Sequence, residues 1–445
     1  MRVTRTAQVS IFEKFSEHEY GIQLKRLSEV LDQQPQLVEI VAGDLVDSSL
    51  NKTGRMGLSA ESVLRCMLLK QQFGFSYEQL SFHLSDSMTF RAFARLGLLT
   101  PSRSGLQAVI RRIKPETLEQ AYQVLTKNLL NQGAIDLEKL RIDSTVIASN
   151  ITTPSDSQLL NDAVRVISRL MAKSREKTGS KFRFTDQRKA AKSLAFRIFN
   201  AKKAIKDELY PELLRISSVV LQQADRALTS ISEHAPPSHA KEKWLREVAH
   251  YRGLLVRVME QTERRVIHGE TVPSFEKIVS IFEPHTDVIV KGFRYIQYGH
   301  KINLSTETRG FITALTIENG NPSDTALFLP ILDYHHSRLD QLPNSVVADG
   351  GYASKANVLA GRELGIKRVV FHKPVGVSLT AMGVKQKTYN TLRHFRAGVE
   401  GNISELKRAF GAAKAKWKGH DGFKAFVWAS ALSYNLVRLA RLEPG

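Results

Sequence analysis

The amino-acid sequence predicts a mixed α/β protein, its sheet core preceded by an all-helical N-terminal region and split, after the first strand, by a long helical insertion. Three observations predict this. A β-branched segment, Lys139–Ile147, stands alone between helical stretches, and four more strand-like segments follow only after residue 300. Between the last of these, helical patterns alternate with strands, the texture of a mixed sheet. The expected boundaries are residues 1–135 for the helical N-terminal domain, 136–150 together with 285–445 for the sheet core, and 151–284 for the insertion.

From Leu24 to Leu130 apolar residues recur at helical spacing, as at Val63, Leu64, Met67 and Leu68 after a Ser59 cap, and again at Leu106, Val109, Ile110 and Ile113. The stretch Phe75–Leu84, with Arg91 and the Pro101–Gly105 turn, reads equally as helix-turn-helix material with arginines at phosphates or as a plain bundle with solvated arginines. In the strand at 139–147, Leu140, Ile142, Ser144 and Val146 share one face and Arg141, Asp143 and Thr145 the other. Helical sequence then runs to about Ile281, broken by the Ala235–Ser238 turn. Strands are expected at His300–Ser305, Gly310–Ile317, Ser345–Asp349 and Lys367–Phe371, with helices at Asp324–Tyr334 and Lys355–Leu364. A helical tail from Thr391 to Leu442 is interrupted near Lys418–Gly422.

Composition narrows the function. The 445 residues carry 64 Lys and Arg against 44 Asp and Glu, a net charge of +20, which calls for a polyanionic partner. The single cysteine, Cys66, excludes a disulfide framework and a thiolate zinc cluster, and with it an oxidising compartment. No apolar run reaches the roughly 18 residues that span a bilayer, and the first residues lack a signal-peptide core, so the expectation is a cytoplasmic protein with no membrane partner.

Three acidic positions could carry chemistry. Asp is depleted in strands, so Asp143 within Leu-Arg-Ile-Asp-Ser-Thr is either a metal ligand or part of a solvated strand face. Asp349 closes an apolar strand and opens Asp-Gly-Gly-Tyr352, which is either a ligand site at a strand end or an ordinary Asp-Gly turn. On the tail helix, Arg396, Glu400 and Lys407 lie within roughly 40° of one another, a base-acid-base face that also suits plain surface charge pairing. Gly398 and Gly401 beside them weaken a helix by about 1 kcal/mol each, a cost explained by close approach of something bulky. Together the three carboxylates would form an oxygen-only site for Mg²⁺ and two-metal phosphoryl transfer.

These motifs resemble those of the DDE transposases of bacterial insertion sequences: Asp143-Ser-Thr-Val-Ile147, Ala348-Asp-Gly-Gly-Tyr352, the Gly320-Asn-Pro-Ser-Asp324 turn, and an Arg, three residues, Glu, six residues, Lys signature at Arg396, Glu400 and Lys407. The long insertion places the chain nearest the ISNCY subgroup. The resemblance implies a ribonuclease H-like core in which Asp143, Asp349 and Glu400 bind two Mg²⁺ ions, with Mn²⁺ as a substitute. It further implies a DNA-binding N-terminal domain, and Arg396 and Lys407 on transposon-end DNA. Arg393 stands where the family often has a tyrosine. The function implied is hydrolysis and strand transfer at the element's terminal inverted repeats, with double-stranded end and target DNA as partners, in a homo-oligomer that is at least a dimer, associated with the bacterial nucleoid. A structure-selective endonuclease of the same fold and a catalytically idle DNA-binding regulator are the alternatives.

The insertion adds a basic segment that includes Lys181, Arg183, Arg188, Lys189 and Lys192, interleaved with Phe182, Phe184, Phe196 and Phe199. Its charge density points to DNA; the alternative is a solvated basic helix face with core phenylalanines, as Phe196 and Phe199 at i and i+3 suggest. His335 and His336 read as a solvated helix end, and of His300 and Lys301 at most one can face the site. Trp417, Phe423, Phe426 and Trp428 have the spacing of a core stripe.

Overall fold

The computed structural model describes residues 3–5, 14–46, 57–97, 99–291, 295–372 and 376–442. The chain divides into two compact units, residues 1–150 with 300–445, and residues 151–299.

Among the described residues the first unit opens with seven helices: α1 (Glu19–Asp32), α2 (Pro35–Leu45), α3 (Ala60–Gln72), α4 (Tyr77–Asp86), α5 (Met88–Ala94), α6 (Arg103–Ile110) and α7 (Pro115–Asn131). Local chemistry sets their starts. The Ser59 side chain accepts the Ser62 amide at the head of α3, Ser76 and Gln79 form a reciprocal capping box on α4, and Pro115 opens α7. In the stretch from α4 to α6, Arg91 donates to the carbonyls of Leu84 and Gly97, so this arginine completes backbone hydrogen bonds within the bundle. Strand β1 (Lys139–Ala148) follows.

The second unit holds α8 (Asp156–Ala172), α9 (Ser174–Thr178), α10 (Arg188–Asn200), α11 (Lys203–His234) and α12 (His239–Thr262), followed by a π-helical turn at Glu263–Ile267. Leu160, Val164, Ile167, Leu213, Val220, Trp244, Val248 and Leu255 fill its own core. Phe182 and Phe184 pack against that core, but Phe196 and Phe199 are 70% and 75% exposed. The alternative that makes those two core is not met: α10 turns Ala191, Leu194, Ala195 and Ile198 inward, and that face leaves positions 196 and 199 outside. The unit also contains a strand that the sequence pattern does not announce, β2 (Asp287–Lys291), antiparallel to residues 295–299 of β3 (Tyr295–Thr306).

The rest of the first unit comprises β3 beyond residue 299, β4 (Ile312–Ile317), a 3₁₀ turn at Asp324–Leu327 leading into α13 (Phe328–Leu339), β5 (Ser345–Asp349), α14 (Lys355–Glu363), β6 (Arg368–His372), α15 (Leu379–Met382), α16 (Gln386–Ala409) and α17 (His420–Leu442). Its strands lie in the order β4, β3, β1, β5, β6, with β3–β4 antiparallel and β1–β5 and β5–β6 parallel. This is the mixed sheet expected of a ribonuclease H-like core. Strand β1 is central and covered on both faces, with Leu140, Arg141, Ile142, Thr145 and Val146 all buried.

Helix α17 has apolar residues all round and packs against α1, α3, α7 and β4, so the N-terminal helices and the end of the chain share one core. Trp417, Phe423, Phe426 and Trp428 belong to it, as their spacing predicts. Within it, the Asn435 side chain accepts the Ile312 amide at 3.0 Å and donates to the Ile312 carbonyl at 2.8 Å, taking the place of a neighbouring strand at the edge of β4.

His335 departs from expectation. His336 is exposed, but His335 is fully buried on α13, with Nε2 2.8 Å from Ser305 Oγ. Burial pushes its pKa down to about 3. A histidine held neutral when folded contributes stability that is complete above the unfolded value near 6.5 and is lost as pH falls toward 3. Urea titrations from pH 7 to 4 should show this group costing about 1.4 kcal/mol per pH unit below 6.5, and His335→Gln should remove that component from the slope.

Candidate active site

Parallel pairing of β1 and β5 ends with Ile142 opposite Ala348, so Asp143 and Asp349 are the next residues on neighbouring strands. Helix α16 crosses β1, β5 and β6 and brings Arg396 and Glu400, one turn apart, over that point. The Arg396 guanidinium joins all three carboxylates: Nη2 is 2.9 Å from Asp143 Oδ2 and 3.6 Å from Asp349 Oδ1, and Nη1 is 2.8 Å from Glu400 Oε1. The site is graded from inside to out. Side-chain exposure rises from 10% at Arg396 through 17% at Asp143 and 45% at Asp349 to 66% at Glu400.

Electrostatics follow that gradient. Burial raises the Asp143 carboxyl to about 6, while Arg396 and the Ser144 amide, which donates to Asp143 Oδ1 at 2.8 Å, pull it down, and Asp349 and Asp324 add repulsion. Asp143 is thus mostly ionised at neutral pH but sits in a place that favours added positive charge. The donor set is oxygen only and already surrounds one cationic group, whose buried Nε has no hydrogen-bond partner. Asp143, Asp349 and Glu400 therefore offer the oxygen ligands that hard divalent cations prefer, with the Arg396 guanidinium standing between them.

A second layer braces the strand ends. Ser144 Oγ donates to Asp324 Oδ1 at 2.9 Å, and the buried Lys301 ammonium lies 2.7 Å from the same oxygen and donates to the Pro322 carbonyl at 2.6 Å. Of His300 and Lys301, it is Lys301 that approaches the site. A Cβ at Gly351 would stand 2.9 Å from Asp324 Oδ2, so a side chain in the turn after Asp349 would push on the Asp324 carboxylate. Tyr352 is buried and donates to Asn303 Oδ1 at 2.8 Å. Asp324 is the site neighbour that the sequence shows only as the end of a turn motif, and no spacing connects it to Lys301 on β3.

The other expected positions are dispersed. Arg393 is exposed three residues before Arg396, and Lys407 is half-buried two turns beyond Glu400. Arg396 is buried among the carboxylates, where its guanidinium is engaged by Asp143 and Glu400. In the second unit Lys181, Arg183, Lys189 and Lys192 are exposed, while Arg188 is held 2.6 Å from Asp186. Of the two glycines on α16, Gly398 meets the close approach expected of it, from the Arg141 guanidinium, whereas a Cβ at Gly401 would meet open space.

Comparison with known proteins gives two family matches. Residues 294–436 match the family described as "Transposase DDE domain", and residues 10–112 match "Transposase domain (DUF772)". No curated protein and no solved structure matches the chain. Asp349, Arg396 and Glu400 fall inside the first matched range; Asp143 falls outside both and joins them only in space.

Removing the central cation leaves three carboxylates in mutual repulsion. Arg396→Met should lower unfolding stability in chelator by on the order of 2 kcal/mol, less than the about 3–5 kcal/mol of a fully buried pair because Glu400 is solvated. Added Mn²⁺ should recover most of that loss in the same melts.

Proposed function

Because the chain belongs to the DDE-type transposases of insertion sequences, polynucleotidyl transferases that act on DNA and depend in general on divalent metal, we propose that it binds the terminal inverted repeats of its own element, hydrolyses the phosphodiester at each end and joins the freed 3′-hydroxyl to target DNA. The observation that carries this reading is the convergence of Asp143, Asp349 and Glu400 on one guanidinium. Two Mg²⁺ ions, with Mn²⁺ as substitute, would be held by these three carboxylates, and when bound they supply activation of the attacking oxygen and charge neutralisation at the leaving one.

The chain's own groups do the rest. Asp143, the most buried of the three carboxylates, would be the most firmly held ligand, fixed by the Ser144 amide and by its place in a strand covered on both faces. Arg396 keeps the three acids gathered and orients Glu400, so its role is ionic rather than a contact to transposon-end DNA. Lys301 holds Asp324 as an ion pair, so that this fourth acid braces the turn instead of competing for metal. Exposed Arg393, Lys407 at the far end of the charged face, and Lys181, Arg183, Arg188, Lys189 and Lys192 of the insertion would meet phosphates, which also accounts for the charge of +20. Because an element has two ends, the working form would be at least a dimer. Among the described residues no helix is long and apolar enough to cross a membrane.

The test is a strand-transfer assay with a labelled duplex carrying the gene's own flanking terminus, a plasmid target and Mg²⁺ or Mn²⁺. Wild type should join the label to the plasmid. Asp143→Asn, Asp349→Asn and Glu400→Gln should each lower cleavage and joining by about 10³-fold or more, a loss of several kcal/mol of charge stabilisation, with end binding retained in mobility-shift titrations. Metal-dependent cutting without joining would convert the reading to a nuclease, and binding with neither to a regulator.

A further inference from the structure

We propose that Arg141, two residues before Asp143 on β1, is the positioning residue that sets Glu400 and Arg396 in register with Asp143; this rests on the reading of those residues as the metal-binding site. Alternation along the strand puts Arg141 and Asp143 on the same face. Arg141 is 7% exposed and reaches two elements at once. Its Nε donates to Thr306 Oγ1 on β3 at 2.8 Å, Nη1 to the Phe395 carbonyl on α16 at 3.0 Å, and Nη2 to Asn402 Oδ1 on α16 at 2.8 Å. The guanidinium also lies 4.7 Å from the centre of the Phe395 ring. Phe395 and Asn402 bracket the Arg396–Glu400 turn, so the arginine grips the helix on both sides of the groups it presents.

The helix has a matching notch. A Cβ at Gly398, midway between Arg396 and Glu400, would stand 2.0 Å from Arg141 Nη1 and 2.8 Å from Cζ. The glycine inside the signature is therefore the seat of the guanidinium, and its helix-weakening cost has a purpose. Asn402 is fixed in turn, since it accepts from Thr306 Oγ1 at 3.2 Å and donates to the Tyr434 hydroxyl at 2.9 Å.

Energetics separate placement from simple packing. Buried Arg65 in the N-terminal helices faces Glu61 and Asp32 at 3.2 and 2.8 Å, which offset its desolvation. The hydrogen-bond partners of Arg141 are a hydroxyl, a carbonyl and an amide, all neutral, and the one carboxylate that offsets its burial, Glu307, acts without a hydrogen bond to it. An apolar side chain would fill such a site at lower cost, whereas only a planar fork can address Thr306, Phe395 and Asn402 in fixed directions.

The experiment compares Arg141→Lys, Arg141→Met, Gly398→Ala and the Arg141→Met/Gly398→Ala double variant with wild type and Glu400→Gln. Three quantities are read in the full-length protein: Mn²⁺ affinity by electron paramagnetic resonance, KM and kcat for end cleavage, and the melting curve. Arg141→Met and Gly398→Ala should keep a cooperative melt and KM within about twofold, while weakening Mn²⁺ binding by about 10–100-fold, the scale of lost outer-shell support, and lowering kcat. Arg141→Lys should not rescue. The double variant should be no worse than Arg141→Met, because without the guanidinium the added methyl has nothing to strike. Wild-type Mn²⁺ affinity and kcat in Arg141→Met would overturn the proposal. Should that variant fail to melt cooperatively, Gly398→Ala decides in the same way. If Glu400→Gln also keeps wild-type Mn²⁺ affinity, the metal-site reading itself has failed; if it loses affinity while Arg141→Met keeps it, only the positioning role has.

Discussion

The Arg396 guanidinium is the point on which the site depends. Carboxylates from two neighbouring strands and one helix would repel each other if brought together alone, and burial adds to the cost of charge on Asp143, where water is scarce. One fork-shaped cation on the helix that carries the third carboxylate solves both problems, since it offsets the charge and fixes α16 over the ends of β1 and β5. The increase in exposure from Asp143 to Glu400 leaves the cluster open on one side, as a site for a long polyanion must be.

Around that point the fold is built from polar contacts that substitute for missing backbone partners. Asn435 completes the edge of β4, and Asn402 joins β3, α16 and α17 through Thr306 and Tyr434. Because α17 also packs against α1, α3 and α7, the sheet, the site helix and the N-terminal helices are bound into one unit. Lys301 and Asp324 extend the same logic to the turn that follows Asp349.

The legible parts of the chain were those in which one period dominates. Strands β1, β4, β5 and β6 and helices α13, α14, α16 and α17 all lie where alternation or helical spacing predicts them, and the aromatic stripe at 417–428 is core as read. Errors arose where local spacing is silent about neighbours. Phe196 and Phe199 have core spacing, but the apolar face of α10 is made by Ala191, Leu194, Ala195 and Ile198. His335 looks like a surface residue until Ser305 and Thr313 on the adjacent strands are brought over it. Strand β2 is five residues long and gains its definition from pairing with the start of β3.

By itself the sequence determined the kinds of element, their order, the excess of positive charge and the three acidic motifs, because each is written in residue type and spacing within a short window. It could not decide which groups meet. Asp143 is separated from Asp349 and Glu400 by the 151–299 unit and lies outside both family matches, yet it completes their cluster. The turning of Arg396 inward, the seating of Arg141 in the Gly398 notch and the pairing of Lys301 with Asp324 were likewise decided only by tertiary structure. The physical reason is shared: directional contacts between charged and polar side chains depend on strand register and helix placement, which close-packing of the whole unit sets and no local pattern records.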